Sequence, residues 1–256
     1  MQGMLGLGDN IHQRAVIRRL IAQRPVWLET PWPSVYHDLV GENLHLVQRP
    51  STLRTQNKNI LRERNRFHGR APAGAYPHRI WYTHDQIRRY GSFLAAMCRN
   101  SGLPPGDFSL PVPDAWRAKA FAAIGGKPHK PILFYRPLVE RTEWCGCASR
   151  NPDATTYVDL IASIRDDYFV VSVADLEPGK EWIVSRPIDA DLEFHRGELD
   201  FECIAGLMSI AGLVFCSPGF ALVLAQAVGA PLVAVFGGHE SARLYDHGTI
   251  TELFIE

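Results

Sequence analysis

From Ile132 to Phe236 the sequence alternates short, unbroken apolar runs with segments of helical spacing, and no other feature restricts the fold as tightly. Ile132–Tyr135, Tyr168–Val173, Leu213–Cys216 and Leu232–Phe236 are almost wholly apolar, with no solvent-facing alternation. A strand of that kind is buried on both faces, the condition of a parallel sheet covered by crossover helices. Helices are expected between them, over about 154–164, 201–211 and 220–228. Pro152 introduces the first, Asn151 or Asp153 is available to cap it, and Tyr157, Leu160, Ile161 and Ile164 recur at helical spacing. Gly229 ends the last and Pro231 stops its continuation. The fold class is α/β, and this half is a doubly wound domain.

The beginning of the chain has the same grammar. A strand near Gly3–Leu5, the turn GLGD, a helix over 10–23 and the strand Val26–Thr30 make one β-loop-α-β unit. Ile17, Leu20 and Ile21 are expected to face its sheet, with Arg14 and Arg18 on the outer face. Asp9 then lies at a strand-to-helix corner, where open α/β sheets collect ligands. Two roles stay open for it: helix N-cap, or a carboxylate for proton transfer. Gly6 and Gly8 satisfy G-x-G, but Ile11 takes the third glycine position of the dinucleotide fingerprint, so an NAD or FAD role is not expected. The Pro/Gly-rich stretch 102–116 reads as loop, and 124–131 (IGGKPHKP) as the linker between domains at 1–128 and 129–256.

A formal net charge of zero conceals a division at the same place. Residues 1–130 carry 19 Lys and Arg against 8 Asp and Glu, and residues 131–256 carry the reverse. Arg49, Arg54, Lys58, Arg62, Arg64, Arg66 and Arg70 make 49–70 the most basic stretch, and Trp81, Tyr82 and Tyr90 are interleaved with Arg79, Arg88 and Arg89. This pattern fits either a polyanionic partner or a solvated face and an attraction between halves. Five irregularly spaced cysteines imply no disulfide framework, and without a signal-peptide pattern a cytoplasmic location is expected, in a host cytoplasm if the chain is phage-encoded. No apolar stretch has the length of a membrane span. Cys145 and Cys147 form C-x-C without a second pair, the only D-x-D is Asp189–Asp191, and there is neither a P-loop nor a G-x-S-x-G elbow, so no metal is expected.

Two motifs carry a family resemblance. GLGDNIHQRAVIRRL (residues 6–20) resembles the N-terminal motif of glycosyltransferase family 9, the ADP-heptose:lipopolysaccharide heptosyltransferases. GLVFCSPGFALVLAQAVGAPLVAVFGG (residues 212–238) resembles that family's donor motif: strand, Ser/Thr-Gly turn, helix, and a strand ending FG. Cys216 stands where the family has an acid before the turn, and Leu222 where it has a histidine.

The resemblance implies a GT-B fold, two Rossmann-like domains facing each other across a cleft. The basic domain would hold the acceptor and the acidic one a nucleotide sugar. Asp9 matches the catalytic base of an inverting transfer. Gly8, Asn10, His12, Arg54, Lys58 and Arg62 are the expected acceptor-binding residues. On the donor side, Ser217, Gly219 and Phe220 open a helix whose first N–H groups face the diphosphate. Arg136 and Arg141 would neutralise its charge, Glu202 would take ribose hydroxyls, and Gly237, Gly238, His239 and Glu240 would close the same end. No cofactor is expected beyond the nucleotide sugar as co-substrate. The expected acceptor is a phosphorylated saccharide or DNA with a hydroxymethylated base, as in phage genome modification, handled by a monomer or weak oligomer. The alternative is a catalytically inactive nucleotide- or nucleic-acid-binding relative.

Overall fold

The structure, a computed structural model, describes residues 1–142, 151–245, 247 and 252–255, so Cys145 and Cys147 lie outside the described residues. The chain forms two compact units, Met1–Pro111 with Arg243–Tyr245, and Val112–Ala242 with the chain's last strand.

In the first unit, α1 (Leu7–His12) and α2 (Arg14–Ile21) lead into β1 (Val26–Thr30), which pairs in parallel with β2 (Leu44–Gln48). Strand expectation and outcome differ at the start: instead of a strand at Gly3–Leu5, Gln2 makes single bridges to Glu29 and Arg79. The helix also begins earlier than expected, at Leu7, and is broken at Gln13. α3 (Arg54–Arg62), α4 (His84–Tyr90) and α5 (Phe93–Asn100) follow. Thr83 and Gln86 form a reciprocal capping box on α4, and Ser92 caps α5.

Arg14 overturns the expectation of an outer basic face. It is fully buried, and its guanidinium grips both oxygens of Asp38 at 2.8 Å while donating to the carbonyls of Ser109, Phe108 and Val35. Desolvation opposes ionisation of Asp38, but the hydrogen bonds and charge of Arg14 outweigh it and hold the carboxyl below its usual range. Arg18 does stay at the surface, pairing with Asp107 at 2.6 Å.

The second unit is a six-stranded parallel sheet. Its strands, in chain order, are β3 (Ile132–Tyr135), β5 (Phe169–Val173), β7 (Leu192–Phe194), β8 (Leu213–Cys216), β9 (Leu232–Val235) and β10 (Glu252–Ile255), and their spatial order is β10-β9-β8-β3-β5-β7. A separate antiparallel ribbon joins β4 (Val139–Arg141) to β6 (Glu181–Ile183). α7 (Ala154–Ile164), capped by Asp153, α8 (Phe201–Ile210), capped by Asp200, and α9 (Phe220–Val228) are the crossovers. Gly229, at φ 71°, ends α9 in the left-handed conformation expected of it. Leu133, Tyr135, Tyr157, Ile161, Phe215 and Val235 meet in the core. Asp191, within the only D-x-D, accepts the Val170 N–H at 2.7 Å, and Asp189 pairs with Arg165.

The division between units falls at Pro111–Val112, ahead of the expected linker at 128/129, because a helix replaces the expected loop. α6 (Asp114–Ala123) packs against α8. A methyl on Gly206 of α8 would lie 2.2 Å from the Trp116 carbonyl, so only glycine permits this approach, and Trp116 meets Phe201 edge to face. Lys119 completes the contact by pairing with Asp200 and, at 3.1 Å, with Glu202.

Removing Arg14 strands a carboxylate and three carbonyls. Arg14→Ala is expected to cost about 3–5 kcal/mol, and Arg14→Lys to recover only a fraction of that because an ammonium cannot reproduce the bidentate grip. Urea denaturation of the three proteins measures both.

Candidate active site

The GLGD corner is held from all sides by polar side chains. Asn10, fully buried, donates to the carbonyls of Met4 (2.9 Å) and Gly6 (2.7 Å). Its Oδ1 accepts from Thr30 (2.7 Å), Gln13 (3.0 Å) and Tyr36 (3.1 Å). Gln13 in turn accepts the Met4 N–H, and Trp32 donates to the Leu5 carbonyl. Burial pushes the Tyr36 hydroxyl far above its ordinary pKa, so it is neutral and serves as a donor.

Asp9 stands on this corner, half-buried, as the third residue of α1. The N-cap position belongs to Gly6, so capping by side chain at the helix start is not the role of Asp9. Its Oδ1 accepts a 2.6 Å hydrogen bond from the Tyr82 hydroxyl. Its Oδ2 folds back over Gly6, where an added methyl would lie 2.7 Å away. The glycine therefore makes room for the carboxylate. Tyr82 leans on Phe93, which leans on Tyr245, a residue of the returning chain that belongs to this unit.

In the second unit the strand order reverses direction at β3: β5 and β7 are added on one side, then β8, β9 and β10 on the other. Ligands of doubly wound sheets bind beyond the carboxyl ends of the strands flanking such a switch. Here those ends carry Arg136, after β3, and Ser217–Phe220, after β8. The Arg136 N–H bonds the Phe215 carbonyl at 2.9 Å, joining the two strand ends. Gly219, at φ 149°, lets the chain turn directly into α9, whose first N–H groups face outward from the sheet end with no acid in the first turn.

The Arg136 guanidinium donates to the Val173 carbonyl at 2.8 Å and lies 5.2 Å from the centre of the Phe220 ring. Among the described residues it makes no ion pair. Desolvation, then Arg141, lowers its pKa to about 10, partly offset by Tyr157, Asp175 and Glu181, so it remains a cation at neutral pH. Beside it, Ser172 and His195 Nε2 are 2.8 Å apart, and desolvation first, with Arg136 assisting, lowers the His195 pKa.

No protein-family model matches the sequence, and no curated protein matches it. Solved structures do match. The ADP-heptose lipopolysaccharide heptosyltransferase II of E. coli superposes with a TM-score of 0.63 at 14% identity, over 99% of this chain and 88% of that one. A family 9 glycosyl transferase from Veillonella parvula gives 0.60 at 13%, over 99% and 84%. The iron-containing dodecameric glycosyltransferase TibC of enterotoxigenic E. coli gives 0.65 at 14%, over all of this chain but 61% of its own, and has also been solved with ADP-D-β-D-heptose.

The chain has the GT-B fold of the heptosyltransferases. Within that fold the sequence-predicted residues separate by position. Asp9 and Gly8 lie at the corner, and Arg136, Ser217, Gly219 and Phe220 meet at the β3/β8 switch. Arg54, Lys58 and Arg62 recur every four residues along α3, on one side of the helix. Asn10 and His12 belong to the interior: Asn10 is spent on the corner, and His12, 2% exposed, packs edge-on against Phe108. Neither is placed to touch an acceptor.

The remaining donor-side residues are also engaged in the fold. Arg141 pairs with Glu181 at 2.9 Å across the β4–β6 ribbon, and Glu202 with Lys119. A methyl on Gly237 would lie 2.2 Å from the Asn151 carbonyl, so this glycine allows a backbone contact. Gly238 takes φ 81°, and His239 and Glu240 follow at the surface end of β9. Cys216 and Leu222, the two departures from the family motif, are both fully buried. Among the described residues no cluster of His, Cys, Asp and Glu could hold a metal ion, and no helix is long and apolar enough to cross a membrane. Ser172 and His195 are additions that local sequence pattern does not reveal; Tyr82 belongs to the aromatic and arginine stretch, but its bond to Asp9 is tertiary.

If the Tyr82–Asp9 bond is a true coupling, Tyr82→Phe costs about 1–2 kcal/mol in the parent protein and much less beside Asp9→Ala. A double-mutant cycle by urea denaturation measures it; equal losses in both backgrounds would remove the pairing.

Proposed function

We propose that the chain is an inverting glycosyltransferase that moves a sugar from a nucleotide diphosphate to a hydroxyl of a polyanionic acceptor. The observation that carries this reading is the immobilised Asp9 carboxylate, held through Tyr82 and seated over Gly6 on a fold shared with sugar-nucleotide enzymes. In the reaction the acceptor oxygen attacks the anomeric carbon and its proton passes to Asp9. The bond from that carbon to the diphosphate breaks, and its electron pair leaves on the nucleotide. A carboxylate whose position is fixed before the reaction spends little free energy on reorientation.

The leaving diphosphate belongs at the β3/β8 switch. Arg136 supplies a desolvated cation and α9 its first backbone donors, a combination that offsets developing phosphate charge without requiring a metal. A bound adenosine diphosphate sugar of the kind seen with TibC is the first donor to test. The basic character of residues 1–130 supports a phosphate-bearing acceptor, either a phosphorylated core saccharide or hydroxymethylated DNA. A second reading, nucleotide binding without transfer, is favoured by Leu222, buried where family members have a histidine.

Asp9→Asn decides between these readings. It is expected to retain binding of ADP while transfer falls by about 10²–10⁴, followed as a one-sugar gain in mass of either acceptor. Absence of transfer by the parent protein with every nucleotide sugar would favour the second reading. Arg136→Met is expected to weaken ADP binding by about 10–100-fold. In the parent protein ADP affinity should be level from pH 7 to 9 and fall as pH rises through about 10, because there Arg136 loses its proton. Calorimetric titration across that range measures it.

A further inference from the structure

The first unit has a second hollow that the transfer reaction does not use. Along β1 the residues Val26, Leu28 and Thr30 are buried beneath the sheet, which turns Trp27 and Glu29 to the opposite face. β2 repeats the alternation, and its register sets His45 opposite Trp27 and Val47 opposite Glu29. Trp27 and His45 stack with ring centres 4.7 Å apart, and His68 meets His45 edge-on at 6.2 Å. His68 also bonds the Leu46 backbone in both directions: its N–H donates to the Leu46 carbonyl, and its Nδ1 accepts the Leu46 N–H. The irregular chain after Arg66 crosses this face and leaves a cavity of about 560 Å³ lined by Met1, Trp27, Glu29, Gln48, Phe67 and Arg70 among others. That volume lies within the range of small-ligand sites.

We propose that this hollow is a binding site for neutral pyranose oligosaccharides. Two aromatic rings, Trp27 and Phe67, offer apolar faces for the C–H surface of a sugar ring. Glu29 accepts from hydroxyls, Arg70 donates to them, and the Gln48 amide does both. Trp27 has its orientation fixed by the His45 stack, so little side-chain entropy is lost on binding. Glu29 is an acid in the wall of a basic unit, engaged electrostatically with Arg49 and with the Met1 ammonium that also lines the hollow, so its charge is matched and the lining sets an acceptor beside donors, the mixture that sugar hydroxyls use from both sides. Asp9 does not line the hollow, and the site stands whether or not the chain transfers sugar.

Saturation-transfer NMR on the full chain, with maltohexaose, cellohexaose, chitohexaose and mannohexaose as separate probes and a 15-residue oligothymidylate for comparison, tests this. At least one hexasaccharide is expected to bind with millimolar or better affinity, unaltered in Asp9→Asn. Trp27→Ala is expected to weaken it at least tenfold. Arg70→Ala and Gln48→Ala, at exposed positions that leave the fold alone, should each weaken it severalfold and keep the test decisive if Trp27→Ala fails to fold. Failure of all four saccharides to bind overturns the proposal. So does binding that survives these substitutions or disappears in Asp9→Asn, and so does oligothymidylate binding at Trp27 without any saccharide binding.

Discussion

The first unit depends on the side chain of Asn10. A buried turn leaves backbone carbonyls that need donors. Asn10 supplies two at once, to the carbonyls of Met4 and Gly6, while the side chains of Gln13, Thr30 and Tyr36 converge on its oxygen. In a low-dielectric interior such a network holds one arrangement, since any partial one leaves a buried polar group unpaired. The carboxylate of Asp9 inherits this rigidity. Only backbone separates it from Asn10, and Tyr82 adds a tether from a distant stretch of the chain.

Arg14 has the corresponding role at the start of the next helix. Its guanidinium joins α2 to Asp38, Val35 and the 108–109 segment, so the ends of the first unit meet on one buried charge. Burying a cation is unfavourable unless its donors are occupied, and carboxylate and carbonyl oxygens meet Nε, Nη1 and Nη2 alike. Arg88 and Arg89 of α4 lie exposed instead. Basic composition in this unit therefore conceals two kinds of arginine, one that organises the interior and one that stays at the surface.

What could be read from the sequence follows from how local each signal is. β3, β8, α9 and β9 were legible because both-face burial demands unbroken apolar strands and because Gly229 and Pro231 terminate a helix by backbone conformation alone. The position of Arg136 and of the Ser217–Phe220 turn at the carboxyl ends of β3 and β8 was legible for the same reason, since each directly follows an apolar run. The inward course of Arg14 was not, because its partners lie along distant stretches of chain and helical spacing alone put it outside. Proximity to Asp9 in sequence suggests Asn10 and His12 as contacts for an acceptor, but a helix turns successive residues to different sides, and both side chains are buried. α6 was read as loop because its alanine-rich sequence follows a proline-rich stretch and its one decisive contact, Gly206 against the Trp116 carbonyl, is tertiary. Three-residue strands such as β7 carry too few residues for periodicity to show.

The charge asymmetry takes on meaning at the two sites. Each proposed reactive group has the sign opposite to the half of the chain that carries it: Asp9 stands in the basic half, Arg136 in the acidic half. For Arg136 the benefit is direct, because desolvation and Arg141 pull its proton away while Asp175 and Glu181 restrain it, leaving a cation strong enough to attract phosphate at neutral pH. For Asp9 the basic composition of residues 1–130 bears on the proposed acceptor, because summed positive charge steers a polyanion toward the half that carries the carboxylate. A chain of zero formal net charge thus sets two halves of opposite sign around two proposed reactive groups, each charged against its own half.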